Sequence, residues 1–297
     1  MKISYDIADV APYINWVYFY YAWGMHDKPD EEKQKLRQEA EAALVGIQGR
    51  YRTYALFQLF DANSDGDDIL VSPPPTGATS VFNSPPTGGV PQKCPPPIGG
   101  DRGGHIRIPF LRQQQPDSEF RCLSDFVRPL SSGLKDRVGV FATTVDIGLE
   151  TDFEKDEYQK MMMQLLADRL AEATAERMHE EVRKHYWGYA SDEHLTIHEM
   201  QLEHFQGIRP AVGYPSLPDT SLNFLLNDLL DMRQIGIRLT ESGAMKPHAS
   251  VSGLMLAHPE SRYFSVGKIG EDQLRDYARR RGLPVEVCRK FLAANLA

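Results

Sequence analysis

The stretch Gln206-Gly207-Ile208-Arg209-Pro210-Ala211-Val212-Gly213-Tyr214-Pro215 limits what this chain can fold into more than any other. Pro210 and Pro215 fix φ and donate no hydrogen bond, and Gly213 frees the chain between them, so the segment runs extended rather than helical. Extended backbone outside a sheet leaves its N–H and C=O groups open, to be met by water or by a ligand lying along the edge. Arg209 is a permanent planar cation suited to a carboxylate, and Tyr214 offers a flat face to a base or a sulfonium. On these residues alone, a surface loop carrying one arginine accounts for the segment at least as well.

The rest of the chain supplies a core and no acid–base constellation. At 297 residues with 41% hydrophobic residues it suffices for one large domain or two small ones. A formal charge of −8 argues against a non-specific nucleic-acid binder. Cys94, Cys122 and Cys288 are odd in number and widely spaced, which suggests neither a disulfide framework nor a thiolate metal cluster and makes a reducing cytoplasm the default. The N-terminus does not read as a signal peptide, and no segment approaches the ~20 apolar residues of a membrane helix. The densest apolar stretch, residues 13–23, is short and aromatic and reads as core packing.

In order, Lys28-Pro29-Asp30 ends one element and caps a helix expected from Glu31, with Leu36, Ala40, Ala43, Leu44 and Ile47 on one face and Gly49 at its end. Residues 54–60 are apolar on both faces, as in a strand inside a sheet. Residues 61–66 match half of a calcium loop, but the position needing a bidentate glutamate holds Ser72, so a β-turn into residues 68–71 is expected. Residues 73–104 are rich in Pro and Gly and nearly devoid of aliphatic side chains, which reads as a long loop or a partly disordered segment. Residues 124–130 suggest a short helix or turn, and residues 138–147 a strand. The longest helix is expected from about Phe153 to Trp187, with Met161, Met162 and Met163 filling core gaps. A helix over residues 222–232, strands at 235–239, 250–257 and 263–266, and helices at 271–281 and 284–292 complete the chain.

Asp168 and Glu172 stand one turn apart on the long helix, either solvated or neutralised by Arg169. His194, His198 and His204 lack metalloprotease spacing and read as surface residues, so no metal site is assigned. Ser250-Val251-Ser252-Gly253 lacks the leading glycine of a nucleophile elbow, and Gly267-Lys268 lacks the upstream glycines of a phosphate loop. No catalytic residue is assigned.

Five motifs nevertheless stand together in one order: LADRLAEATAERMHEEVRKHYWGYA at 166–190, RPAVGYP at 209–215, LTESGAMKPHASVSG at 239–253, HPESRYFSVGKI at 258–269 and DQLRDYARRRG at 272–282. In this the sequence resembles the activation domain of cobalamin-dependent methionine synthase, from about residue 13 to the C-terminus, interrupted by the Pro/Gly-rich stretch. The resemblance implies one α+β domain over residues 1–297, with a bent, mainly antiparallel sheet flanked by helices, a ligand groove at the sheet edge, and the insertion at a hairpin tip.

It also implies S-adenosylmethionine as ligand and a cobalamin carried by a partner, the cobalamin-binding module of methionine synthase or another corrinoid protein, with a flavodoxin-like electron donor. Cobalt chemistry and methyl donor belong to the cofactors, and the protein orients them. Arg209 then matches the arginine that binds the ligand, Tyr263 with Phe264 the pair that lines it, and Gly213 with Tyr214 the neighbouring loop. Glu172 and Glu203 coincide with acids near the groove, and Asp168 shares the helix face of Glu172. Asn15, in Tyr13-Ile14-Asn15-Trp16, stands where the family carries a ligand-contacting aspartate. Met245, Lys246, His248, Ala249 and Ser250 would face the corrin, with Lys246 and His248 departing from the apolar and small residues usual there. The family's cobalt-ligating Asp-x-His-x-x-Gly string does not occur in this sequence. The resemblance therefore points to a separate reactivation subunit; a ligand sensor or a partner of another corrinoid enzyme are the alternatives. An independent methyltransferase would need a glycine-rich loop after an early strand.

Overall fold

The computed structural model describes residues 1–72, 104–115 and 118–297, so the interior of the Pro/Gly-rich stretch and Cys94 lie outside the described residues. The chain runs β1 (Lys2–Asp6), α1 (Ile7–Val10), α2 (Trp16–Ala22), α3 (Asp30–Ile47), β2 (Arg52–Asp65), β3 (Asp68–Val71), β4 (Ile106–Pro109) and β5 (Asp136–Val145). It continues through α4 (Gly148–Thr151), α5 (Glu157–Glu181), α6 (Ile197–Gln201), α7 (Leu222–Leu230), β6 (Arg238–Leu239), β7 (Met245–Lys246), β8 (Ser250–Met255), α8 (Glu271–Arg281) and α9 (Val285–Phe291).

The fold is α+β, a curled six-stranded antiparallel sheet covered by helices, with β6 and β7 paired apart from it. Strand β2 is long enough to carry two partners on one edge: β1 pairs near its start, Asp6 opposite Arg52, and β3 near its end, Ala62 opposite Val71. Strand β5 runs along its other edge and β8 follows β5, while β4 extends the sheet beyond β3. Both sheet faces are buried, and the period-two alternation divides the core. Phe141 and Val145 of β5 face α3 and α5; Val138, Val140 and Ala142 face α7 and the segments around it.

Helix α5 carries most of the first layer. It contains no Gly or Pro, and Asp156 caps it by accepting from the N–H groups of Tyr158 and Gln159 at 2.9 and 3.2 Å. That cap explains why the helix starts at Glu157 rather than near Phe153. Met162 and Met163 are buried as expected, whereas Met161 is exposed. Residues 13–23 depart further from a core assignment: Ile14 and Phe19 are buried, but Val17, Tyr18 and Tyr21 on the outer face of α2 are each about 60% exposed. Strand β2 continues through Asp65, so the expected turn is confined to Gly66 and Asp67. Residues 263–266 belong to no strand.

The segment 208–212 is neither open to water nor free at its edge. Ile208 bridges Leu256 and Ala211 bridges Gly253, with Val212 N–H donating to Ser252 O and Leu254 N–H to Pro210 O. Pro210 suits this edge position, where a missing donor can face away from the ladder. A side chain at 253 is excluded, because a Cβ there would lie 2.2 Å from Pro210 O. Downstream, Asp219 accepts from Tyr277 Oη at 2.7 Å and Arg281 donates to Ser221 Oγ at 2.8 Å, which fastens α8 to the loop that follows.

Candidate functional site

The extended segment, α5, the start of α2, the turn after α6 and residues 263–264 together enclose a cavity of about 600 Å³. Asn15, Glu172, Glu203, Arg209, Tyr214, Tyr263 and Phe264 all line it, so residues spread over 250 positions of sequence meet at one place. Arg169, Glu176 and Tyr18 line it as well.

Arg209 is fixed from three directions. Its backbone N–H donates to Tyr263 Oη at 2.9 Å, its guanidinium makes a two-pronged ion pair with Glu176 at 3.0 and 2.5 Å, and the Phe205 ring lies 6.0 Å away. Burial works against the Arg209 charge, but Glu176 more than offsets it and holds the pKa above the ordinary value. Behind Phe205, Arg183 is fully buried and paired with Glu193, and His179 is held neutral by burial and by the nearby Arg183 and Arg209 charges.

Tyr263 and Phe264 hold their places through backbone contacts. Phe264 N–H donates to Ser216 Oγ at 3.1 Å, Ser216 Oγ–H donates to Phe264 O, and Val266 N–H donates to Pro215 O at 2.9 Å. These bonds replace the sheet ladder expected for residues 263–266. Gly213 does not line the cavity. Its φ of +90° turns the chain so that Tyr214 comes back over α5, where its hydroxyl donates to Glu172; burial first, then the Glu172 charge, pushes the Tyr214 pKa up.

The acids separate. Glu172 and Glu203 line the cavity, while Asp168 lies outside the lining, 3.6 Å from His248 Nδ1, with burial pushing its carboxyl up and His248 and Arg169 opposing. Asn15 serves as the N-cap of α2, its Oδ1 accepting from Val17 N–H at 3.1 Å. Its acceptor is therefore already engaged by the helix, a local demand an aspartate would also meet. In the 245–250 segment, Lys246 and His248 are exposed, Met245 and Ser250 are half-buried, and Ala249 is buried with its N–H donating to Glu150 Oε1 at 2.8 Å.

Glu176 escaped sequence reasoning although a signal was present: Asp168, Glu172 and Glu176 recur every four residues, which puts all three near one face of a helix. Among the described residues no group of three or more His, Cys, Asp or Glu side chains is arranged to hold a metal ion, and no helix is long and apolar enough to cross a membrane.

Residues 6–282 match the family described as vitamin B12 dependent methionine synthase, activation domain. A crystal structure of the MetH reactivation domain bound to AdoHcy is similar to this chain at a TM-score of 0.83 and 36% identity, covering 100% of this chain and 90% of that one.

Proposed function

Since the chain belongs to the activation-domain family of vitamin B12 dependent methionine synthase, we propose that it binds S-adenosylmethionine in the cavity at Arg209 and offers the methyl group to cobalamin on a separate module. The observation that carries this reading is the meeting of one half-buried, fixed arginine with two further carboxylates, Glu172 and Glu203, in a cavity of about 600 Å³, a size within the ordinary range for small-molecule sites. An amino-acid ligand with a carboxylate at one end and cationic nitrogen and sulfur beside it matches that pattern. The structural neighbour binds AdoHcy, the demethylated form of the same ligand.

In this reading Arg209 takes the ligand carboxylate with donors that Glu176 leaves open. Glu172 and Glu203 face the ammonium and sulfonium, and Tyr263, Phe264 and Tyr214 supply flat surfaces for the adenosine. Asn15 offers an amide in place of a charge, which weakens its contribution by very roughly 1 kcal/mol. Once reduced by a one-electron donor of flavodoxin type, the partner's cobalamin would supply the electron pair that accepts the methyl group, while the S–C bonding pair would stay on sulfur. The protein's own residues bind, orient and exclude water. It acts in the cytoplasm on a corrinoid enzyme in trans, with the partner docking along the edge that carries Lys246 and His248.

Titration calorimetry with S-adenosylmethionine is the first test, and no heat up to millimolar ligand overturns the reading. Mixing the protein with a cobalt(II) cobalamin module, S-adenosylmethionine and a reductant should then give the visible spectrum of methylated cobalamin. His248→Glu, at an exposed position, should block that transfer and leave ligand affinity intact. Tight ligand binding without methylation of any corrinoid module would instead favour a sensor.

A further inference from the structure

Five charged side chains line the cavity, Arg169 and Arg209 against Glu172, Glu176 and Glu203. Arg209 is matched by Glu176, and Glu172 accepts from the Tyr214 hydroxyl. Arg169 is engaged at the rim, its guanidinium carbon 5.9 Å from the centroid of the Tyr18 ring. Glu203 differs from all of these: among the described residues its carboxylate has no hydrogen-bond or ion-pair partner. Its backbone also sits at φ +59°, a left-handed conformation that a glutamate seldom adopts. Burial pushes its carboxyl up, Arg209 pulls it down and Glu176 pushes it up again. The strained backbone opposes folding, while the carboxylate, exposed to solvent at the cavity wall, stays available to an occupant.

Three acids against two bases leave the lining with one surplus negative charge. S-adenosylmethionine brings a carboxylate, an ammonium and a sulfonium and so carries a net charge of about +1 near neutral pH. When the S–CH3 bond breaks and the methyl group leaves, the bonding pair becomes a sulfur lone pair, and the occupant turns into the neutral thioether. We propose, resting on the function argued above, that this cavity sorts its occupant by charge, holding the sulfonium form and releasing the thioether, with Glu203 as the carboxylate that makes the distinction. Loss of the methyl group thereby weakens the grip on what remains, so the site clears itself for another donor.

The structural neighbour was solved with AdoHcy, so the quantity to measure is a ratio of affinities. Titration calorimetry on the whole chain should find S-adenosylhomocysteine about tenfold weaker than S-adenosylmethionine, equivalent to about 1.4 kcal/mol. Sinefungin, which carries an ammonium where the sulfonium stood, should group with the methyl donor. Glu203→Gln should narrow the gap to about twofold by removing the unmatched charge. Glu203→Gly, which relieves the backbone and also removes the charge, should narrow it equally while raising the melting temperature. Affinities within about twofold in the unchanged protein overturn the proposal, as does a gap of about tenfold that survives in a folded Glu203→Gln variant. If neither adenosyl ligand binds, the proposed function itself fails, an outcome distinct from equal binding of both.

Discussion

Removing the Arg209 guanidinium tests both the site and the way it is held. The pair with Glu176 has side chains only 17% and 12% exposed, so Arg209→Met leaves a carboxylate stranded in a largely dry wall. Breaking such a pair costs about 3–5 kcal/mol, and the residual exposure favours the low end. At about 2–4 °C per kcal/mol in a chain of this size, 3 kcal/mol lowers the melting temperature by roughly 6–12 °C. The backbone N–H of residue 209 still reaches Tyr263 Oη, so the segment keeps its place while the charge is lost. The double variant Arg209→Met with Glu176→Leu removes the stranded carboxylate and should recover most of the melting temperature, since a well-packed apolar pair often replaces a buried ion pair at no loss. S-adenosylmethionine binding should not return with it. Differential scanning calorimetry and titration calorimetry together read both quantities. A single variant that melts with the unchanged protein would show that the pair is not buried in solution, and binding that survives in the double variant would remove Arg209 from the site.

Asn15→Asp keeps the acceptor that caps α2 and adds a negative charge at a helix N-terminus and in the cavity; thermal melts should show equal or higher stability, and titration an affinity gain of about fivefold, close to 1 kcal/mol. Gly253→Ala would set a Cβ 2.2 Å from Pro210 O and 2.9 Å from Ala211 Cα, so it should cost at least ~2 kcal/mol in a denaturant melt and weaken ligand binding by displacing the Arg209 segment. Replacing residues 74–100 with a short glycine linker joins β3 to β4, which already pair from Val71 opposite Ile106 to Asp68 opposite Pro109; soluble yield and melting temperature should stay near those of the full chain, and a collapse in yield would show that the segment packs on the body.

What could be read from the sequence was what local chemistry decides. Helix α8 begins and ends where expected because acids open it and Gly282 closes it at φ +64°, and β2 announces itself by side chains apolar on both faces. The extended form of the stretch from Gln206 to Pro215 was legible from its two prolines, but not its pairing with β8, because an edge partner some forty residues away leaves no local mark. The exposed face of α2 was misread for a related reason: aromatic residues imply burial only on average, and tertiary packing decides which of Tyr18, Phe19 and Tyr21 faces inward. In the site, Arg209 was legible by its type. Its partner Glu176 and the isolation of Glu203 were not, since ion pairing depends on which side chains the fold leaves within reach.

The pairing of Arg209 with Glu176 changes what recognition means here. An unpaired guanidinium in this wall would attract any anion, and the cavity would select poorly. Neutralised by Glu176, Arg209 keeps directional donors but little net charge, so a ligand bearing only a carboxylate gains two or three hydrogen bonds and then meets Glu172 and Glu203. A ligand bearing only a cation satisfies those acids and leaves Arg209 unchanged. The full set of contacts is available only to an occupant with both charges at amino-acid spacing. In the proposed function, specificity for a zwitterion therefore comes from repulsion as much as attraction, and the acid that Arg209 already holds is what makes the repulsion effective. For the proposed methyl donor, the same arrangement puts the surplus negative charge where the ligand's second cation must sit, so ligand selection and discrimination between donor and spent product draw on one group of carboxylates.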